Sequence, residues 1–202
     1  MRYVLSGFRR LRAILCSAAS LLRRFRCRVG AMLCRTDFRM GRGNVLLVPV
    51  VVNGKGRVRI GDKNYFGCPT APMMGNGALL IQARLPEASV VIGDGNATSN
   101  NFSIIAHDSV TIGNDCRIGD LVTIFDADAH EIDPLKRNVG IGKHAPVHIG
   151  NNVWLGSRVM VLKGVTIGDN SVIAAMSVVT KSIPENCVAA GNPAKVIKKI
   201  RE

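Results

Sequence analysis

Three features that often indicate function are scarce or missing in this 202-residue sequence. Aromatic residues make up only 4% of it, so the core must be filled mainly by aliphatic side chains. The six cysteines form no CxxC pair and no regular framework, and no export signal is evident. No apolar run reaches the roughly 20 residues of a membrane-spanning helix. These absences predict a cytoplasmic protein with reduced thiols. Cys116 and Cys187 lie in strand-like stretches and are expected to be buried as small apolar residues.

What the sequence has instead is an apolar residue at every sixth position of its C-terminal part. A period of six fits neither an α-helix, with 3.6 residues per turn, nor a simple strand, with a period of two. It is typical of a parallel β-helix, in which each hexapeptide points one apolar side chain into a narrow prism. The series is Ile149, Leu155, Val161, Ile167, Ile173 and Val179. We therefore predict an all-β architecture.

The same step occurs earlier in a broken register. Short series run from Ile92 to Val110 and from Ile112 to Ile124. Residues 125–146 then interrupt the pattern with a polar stretch that contains two prolines and two histidines. We expect this stretch to be a loop ejected from the coil, because rigid scaffolds usually carry their chemistry on such loops. The segment Phe66 to Pro86 is also expected to be an irregular loop.

Positive charge is concentrated in the first 40 residues. The chain carries a net charge of +13, and residues 1–40 contain ten Arg, no Lys and one acidic residue, a balance of +9. Apolar residues recur there at steps of three and four, which aligns them along one stripe of a helix. This stripe contains Val4, Phe8, Leu11, Leu15, Ala18, Leu22, Phe25, Val29 and Met32. We divide the chain into an amphipathic helical arm, residues 1–40, and a β-helix domain, residues 41–200.

Such an arm has three candidate partners. An anionic membrane leaflet would attract the Arg residues and accept the apolar stripe. The helix could instead pack on subunits of its own oligomer. Nucleic acid is disfavoured, because the arm does not interleave stacking aromatics with its Arg residues and no recognition motif follows. We expect a peripheral location on the inner face of the cytoplasmic membrane.

A resemblance to a known family is carried by the run VWLGSRVMVLKGVTIGDNSVIAAMSVVTKSIPENCVAAGNPAKVIKKI. It resembles the hexapeptide-repeat acyltransferases, in particular the galactoside, maltose and bacterial surface-polysaccharide O-acetyltransferases. The resemblance extends over about Gly93 to Ile200. It implies a left-handed parallel β-helix, a homotrimer with active sites between subunits, acetyl-CoA as acyl donor, a sugar hydroxyl as acceptor and no metal. Together with the arm, it suggests a lipid-linked glycan as acceptor.

Acetyl transfer to a hydroxyl requires a base that accepts the hydroxyl proton, and His is the usual choice near neutral pH. His107 resembles a corner residue, His144 lies at the exit of the ejected loop, and His148 alternates with apolar residues in a strand. His130, in the loop sequence DADAHEID, aligns with the general base of the family and is predicted to be catalytic. Its second ring nitrogen needs an orienting partner, either a backbone carbonyl or one of three nearby carboxylates. These carboxylates are Asp126, Asp128 and Asp133.

The resemblance also implies the remaining site residues. Asn101 matches an Asn that binds the reacting substrate, although it could equally be a turn residue. The backbone N–H of Ser157 matches the donor to the tetrahedral oxyanion, a contribution of about 3 kcal/mol in comparable reactions. The coenzyme path is implied to include Ser157, Ala175, Thr180, Lys181, Lys195 and Lys198. Two departures stand out: Lys195 and Lys198 occupy positions where relatives have Arg, and Met176 occupies one where they tend to have Gly.

Two functions of other classes stay open. Some left-handed β-helices are zinc carbonic anhydrases, and His107, His144 and His148 could imitate their three ligands. The four-residue spacing of the last pair and the C-terminal signature argue against this. The chain could also be a non-catalytic assembly subunit, although His130 and the VTK segment argue for an enzyme.

Overall fold

The computed structural model describes residues 2–200, with side chains from Ala18 onward. One long helix, α1 (Arg2–Leu33), precedes the strands. Each coil contributes one strand to each of three sheets. In chain order the six coils contain β1 (Asp37–Met40), β2 (Val45–Leu46), β3 (Val50–Gly54); β4 (Arg57–Ile60), β5 (Tyr65–Phe66), β6 (Leu79–Ala83); β7 (Ser89–Ile92), β8 (Ala97–Thr98), β9 (Ser103–Ala106); β10 (Ser109–Ile112), β11 (Arg117–Ile118), β12 (Thr123–Phe125); β13 (Val147–Ile149), β14 (Trp154–Leu155), β15 (Met160–Leu162); and β16 (Thr166–Ile167), β17 (Val172–Ile173), β18 (Val178–Val179).

The three sheets form the sides of a prism. The first sheet has the order β1-β4-β7-β10-β13-β16, and the third sheet has the order β3-β6-β9-β12-β15-β18. The second sheet has the order β2-β5-β8-β11-β14-β17 and ends with β19 (Cys187–Gly191) and β20 (Ala194–Lys199). Strands of successive coils pair in parallel, whereas β20 is antiparallel to β19. The prediction of a parallel β-helix is confirmed.

The interior of the prism follows the six-residue period. The predicted residues from Ile149 to Val179 are fully buried, and Ile112, Ile149 and Ile167 lie in register on successive coils. Burial of one aliphatic side chain of this size contributes about 1.5–3 kcal/mol to stability, and the stack repeats it in every coil. Cys116 and Cys187 are buried in the same core, as predicted.

Polar side chains tie the coils together at the corner between the first and second sheets. A column of carboxylates and amides accepts the backbone N–H of the neighbouring coil, as in Asp62 N–H to Asp94 Oδ1 at 2.6 Å. The same column contains Asn114 and Asn151, whose amide oxygens accept equivalent N–H groups. At this corner the side-chain oxygens therefore accept backbone N–H groups that make no hydrogen bond within a sheet.

One expectation about the loops is wrong. Phe66 to Pro86 is not irregular throughout, because Leu79–Ala83 forms the strand β6 in the third sheet. Leu79, Ile81 and Ala83 are fully buried and alternate with partly exposed neighbours. The loop of residues 67–78 shifts these residues out of the hexad register, which hid the strand in the sequence.

The helix α1 packs on the first coil through a face that the sequence did not indicate. Ser20, Cys27 and Ala31 are buried, and Ser20 Oγ accepts the N–H of Leu46 at 2.9 Å. Cys27 is buried deeply enough that desolvation raises the pKa of its thiol to about 12. No helix within residues 2–200 has both the length and the apolarity needed to cross a membrane.

The predicted apolar stripe of the arm lies on another face of α1. Leu22, Phe25 and Met32 are 52%, 64% and 68% exposed, so the β-helix of the same chain does not cover them. The members from Val4 to Leu15 lie outside the described side chains. The helix ends at Leu33, and Asp37–Met40, which the sequence analysis placed in the arm, form the first strand of the β-helix.

Candidate active site

Apart from Lys195 and Lys198, the predicted site residues lie at or project from the two corners that border the third sheet. At the corner between the second and third sheets, successive coils place Asn100, Asp120, Ser157 and Ala175 in one column, and Asn101 lies in the adjacent column. Backbone bonds link this column: Leu121 N–H donates to Asn100 O at 3.1 Å, Arg158 N–H to Asp120 O at 2.8 Å, and Met176 N–H to Ser157 O at 2.9 Å. The implied contacts of Asn101, Ser157 and Ala175 thus lie along one edge of the third sheet.

The opposite edge of the third sheet carries the ejected loop. Strand β12 ends at Phe125 and β13 begins at Val147, so residues 126–146 leave the prism between the third and first sheets. His107 lies at the same corner one coil earlier, and Thr180 and Lys181 follow β18 one coil beyond Gly164. Gly164 N–H donates to Ala145 O at 3.2 Å, which attaches the exit of the loop to the next coil.

The neck of the 126–146 loop is closed by short-range bonds. Ala127 and His144 form an antiparallel bridge, Asp128 N–H donates to Lys143 O at 2.8 Å, and Ala145 N–H donates to Asp126 O at 2.9 Å. Lys163 forms an ion pair with Asp128. A long polar loop with a closed neck can present a side chain in a defined position.

His130 projects from this loop and is exposed. Its Nδ1 lies 3.1 Å from the carbonyl oxygen of Arg137. Because a carbonyl only accepts, this contact assigns the ring proton to Nδ1 and leaves the lone pair of Nε2 free. The orienting group is therefore a backbone carbonyl, one of the four alternatives left open by the sequence.

The three nearby carboxylates have other partners. Asp128 is paired with Lys163, and Asp133 accepts the N–H of Leu135 at 3.0 Å. Asp126 is fully buried and accepts the backbone N–H of His107 at 2.7 Å and of Asp108 at 2.8 Å. Each carboxylate thus shapes the loop or its root instead of touching the ring of His130.

Asp126 and His107 form a buried pair that sequence reasoning missed. Burial raises the pKa of Asp126, although the two backbone donors oppose the shift. Burial also lowers the pKa of His107, and the nearby Arg84 acts in the same direction. The only sequence signal was the position of Asp126 as the first residue after the last strand before the loop.

Ser157 presents a free backbone donor. Its hydroxyl donates to Asp120, and within residues 2–200 no backbone acceptor lies in range of its N–H. Gly119 lies directly beneath this group, since a Cβ on Gly119 would come within 2.5 Å of the Ser157 nitrogen. A fixed N–H without an acceptor is what an oxyanion site requires.

Asn101 is a turn residue with a link to the neighbouring loop. Its φ is 56°, its N–H donates to Gly77 O at 3.1 Å, and its Nδ2 donates to Pro72 O at 3.3 Å. The adjacent Asn100 is fully buried and accepts the N–H of Cys68 at 2.9 Å, so it anchors the 67–78 loop. The structure therefore shows the turn geometry of Asn101, and its substrate contact stays a prediction.

The remaining predicted residues lie farther along the coil. Ala175, Thr180 and Lys181 are exposed at the borders of the third sheet. Lys195 and Lys198 are exposed on β20, at the end of the second sheet, and are not brought to those corners. Met176 is 69% exposed with a φ of 61°, so its side chain lies on the surface beside Ala175.

The histidines of the zinc alternative are distributed over different environments. His107 is buried, whereas His148 is exposed on the outer side of the first sheet. His144 Nδ1 lies 3.6 Å from Asp108 Oδ2. In the described part of the chain, no group of three or more His, Cys, Asp or Glu side chains is placed to hold a metal ion.

Comparison with known proteins agrees with this fold. A family model described as bacterial transferase hexapeptide (six repeats) matches residues 146–181. The galactoside O-acetyltransferase of Escherichia coli is 44% identical over 115 residues, which cover 57% of this chain and 56% of that protein. A solved maltose O-acetyltransferase from Clostridium difficile is 45% identical with a TM-score of 0.51, over 56% of this chain and 60% of that one. A galactoside acetyltransferase solved in complex with coenzyme A is 33% identical with a TM-score of 0.50, over 80% of this chain and 65% of that one.

The predicted resemblance to hexapeptide-repeat acyltransferases is confirmed over the matched part of the chain. The predicted fold class, a left-handed parallel β-helix, is also confirmed. The proteins to which the chain is similar include galactoside and maltose O-acetyltransferases. The matches span 58% and 56% of the length of the first two curated relatives.

Proposed function

We propose that this protein is an O-acetyltransferase that moves the acetyl group of acetyl-CoA to a hydroxyl of a sugar. The similarity to proteins named galactoside and maltose O-acetyltransferases supports the reaction and the donor. The observation that carries the mechanism is the geometry of His130, whose Nδ1 contacts Arg137 O and whose Nε2 is free. The acceptor is proposed to be a glycan of bacterial surface-polysaccharide synthesis.

His130 acts as the general base in this proposal. Its Nε2 takes the proton of the acceptor hydroxyl as the hydroxyl oxygen attacks the thioester carbon. The tetrahedral oxyanion accepts a hydrogen bond from the free N–H of Ser157. Collapse of the intermediate breaks the carbon–sulfur bond, and the leaving thiolate takes the proton from the His130 imidazolium. The products are the acetylated sugar and free coenzyme A.

The coenzyme is proposed to follow the coil toward the C-terminus. Ser157, Ala175, Thr180 and Lys181 border the third sheet, and this placement supports one continuous path. Lys195 and Lys198 stand apart on β20, so we assign them to the phosphate end of the ligand. Lys supplies charge there without the two-pronged bonding of Arg.

We also propose a homotrimer with active sites between subunits. Exposed apolar side chains on the outer sides of the sheets support it. Trp154 and Tyr65 on the second sheet are 56% and 53% exposed, and Met160 on the third sheet is 40% exposed. Contact between sheets of neighbouring subunits would bury these side chains. It would also place a surface of the neighbouring subunit beside His130.

The arm is proposed to place the enzyme on an anionic membrane surface, where a lipid-linked glycan would be presented. Support comes from the exposed stripe of Leu22, Phe25 and Met32 on a helix rich in Arg. Such attachment combines apolar burial with about 1 kcal/mol per basic residue near the surface. A truncated protein that lacks residues 1–33 should therefore fail to sediment with anionic vesicles.

The direct test of the proposed function is release of the coenzyme A thiol from acetyl-CoA across a panel of glycan acceptors. The expected result is acceptor-dependent release, with the acetyl group recovered on one sugar hydroxyl by mass spectrometry. Acetyl-CoA that neither binds nor reacts would support the non-catalytic assembly subunit instead. Hydration of carbon dioxide that depends on zinc, measured on the same protein, would support the carbonic anhydrase alternative.

A further inference from the structure

A cavity of about 790 Å³ lies away from the candidate active site, between the last turns of α1 and β1. This volume is within the range of roughly 300–1,000 Å³ that is usual for small-molecule sites. Its wall combines three guanidinium groups with three large apolar side chains: Arg28, Arg35, Arg39, Met32, Phe38 and Met40. The mixture points to a ligand that is both anionic and apolar.

The apolar part of the wall continues beyond the cavity. Phe38 and Met40 are half-buried and pack against the core, so they form its floor. Met32 lines the cavity and also belongs to the exposed stripe of α1 that includes Phe25. An apolar chain that starts on this floor can therefore follow the stripe along the helix.

The charged rim has an excess of positive charge. The carboxylate of Asp37 is bonded by Arg59 and lies 3.8 Å from Arg57, and the bond to Arg59 lowers the pKa of Asp37. Within residues 2–200, Arg28, Arg35 and Arg39 make no salt bridge. Three guanidinium groups around one cavity are suited to a phosphate, which each can bond through two N–H groups.

Arg35 occupies a backbone position that favours glycine. The helix ends in a Schellman motif, in which Thr36 N–H donates to Ala31 O at 2.9 Å and Arg35 N–H to Met32 O at 3.0 Å. Arg35 has a φ of 59° at the C′ position of this motif. Glycine there would keep the turn and remove the guanidinium, so binding can be tested without loss of the fold.

We propose that this cavity binds the terminal phosphate of a lipid, a phosphomonoester as in phosphatidic acid, with the apolar chain of that lipid on Phe38, Met40 and the stripe of α1. The site goes beyond acetyl transfer and extends the membrane association proposed above. It would turn a general attraction to anionic surfaces into recognition of a phosphate headgroup close to the first coil.

The test uses full-length protein and calorimetric titration with dihexanoyl phosphatidic acid, a soluble phosphorylated lipid, and with inorganic phosphate. The lipid should bind at least about tenfold more tightly than inorganic phosphate, because only the lipid fills the apolar floor. Arg35→Gly should weaken lipid binding about tenfold or more, as expected for loss of one charge-assisted contact. The melting temperature of this variant should stay the same or rise.

Lys63→Gly is the matched control, since Lys63 has a φ of 56°, carries the same charge and lies outside the cavity. It should leave lipid binding unchanged. Equal loss of binding in the two variants, or equal affinity for lipid and inorganic phosphate, would overturn the proposal.

Binding to vesicles distinguishes phosphate binding in the cavity from general electrostatic attraction to an anionic membrane. Wild-type protein should prefer phosphatidic acid over phosphatidylserine at equal surface potential, and Arg35→Gly should remove the preference. Equal binding to both lipids would contradict recognition of the phosphomonoester, because phosphatidylserine carries only a phosphodiester, and would leave membrane association intact. Binding of the soluble lipid without any vesicle binding would support the cavity and contradict membrane association.

Discussion

Gly142 offers the sharpest perturbation of the 126–146 loop. A Cβ on Gly142 would lie 2.4 Å from the carbonyl oxygen of His130 and 2.7 Å from the Cβ of Asp128. Ordinary contacts at this position begin near 3.4 Å, so the two arms of the loop must separate by about 1 Å in Gly142→Ala. A displacement of this size at a catalytic group lowers the rate by about 10²-fold.

Gly140 in the same loop provides the control. A Cβ on Gly140 meets no atom within 4 Å, so Gly140→Ala should leave the loop and the rate unchanged. The assay is steady-state thiol release with the acceptor found in the glycan screen, together with the melting temperature of each variant. We expect a lower kcat for Gly142→Ala at a melting temperature within a few degrees of wild type. Equal rates for the two variants would refute the positioning of His130 by this loop.

Three further predictions concern the root of the loop and the assembly. Asp126→Asn leaves a buried N–H of His107 or Asp108 facing a donor and should destabilise the protein by about 1–3 kcal/mol in urea unfolding. Asp94→Asn should leave the free energy of unfolding unchanged in the same assay, because among the described residues Asp94 accepts only the N–H of Asp62 and the remaining amide oxygen can still accept it. Equal destabilisation by the two substitutions would contradict the role of Asp126. Because burial lowers the folded pKa of His107 below its usual 6.5, the unfolded chain binds this proton more readily, and stability should fall as pH decreases below about 6.5. Melting temperatures across this range should lose that dependence in His107→Phe, and an unchanged slope would exclude His107 as its source. Light scattering should give three times the mass of the 21.7 kDa chain, and a monomer mass under active conditions would rule out a shared site.

The period of six was sufficient to predict the prism because its packing is repetitive. Every coil buries the same kind of side chain at the same position, so the residues from Ile149 to Val179 could be assigned without long-range information. The bounds of the ejected loop, predicted as 125–146, followed from the interruption of that period to within one residue, since Phe125 belongs to β12. Strand β6 was missed because the 67–78 loop changes the register before Leu79.

The arm shows what amphipathic pattern alone does not determine. The stripe that includes Leu22 and Phe25 predicted a helix, but the face that packs on the β-helix holds Ser20, Cys27 and Ala31. Small residues allow close approach to the first coil, and hydrogen bonds such as Leu46 N–H to Ser20 Oγ add to it. A face of small residues such as this one does not appear in the pattern of large apolar residues from which the helix was predicted.

The partner of His130 was beyond sequence reasoning for a different reason. Arg137 contributes its backbone carbonyl, which every residue possesses, from seven positions away in a loop without periodicity. The buried role of Asp126 likewise depends on two backbone N–H groups of the preceding coil. Side-chain chemistry can be read from sequence, whereas backbone partners require the fold.

The central claim is that His130 is the base of an acetyl transfer. The most direct measurement is kcat for His130→Ala, with the affinity for acetyl-CoA measured by titration on the same protein. The predicted result is a fall in kcat of about 10²–10⁴-fold at nearly unchanged affinity, because the proposed coenzyme path does not include the loop. His148→Ala, on the outer side of the first sheet, is the control and should retain the wild-type rate. An unaltered rate in His130→Ala would remove this residue from the mechanism and contradict the account.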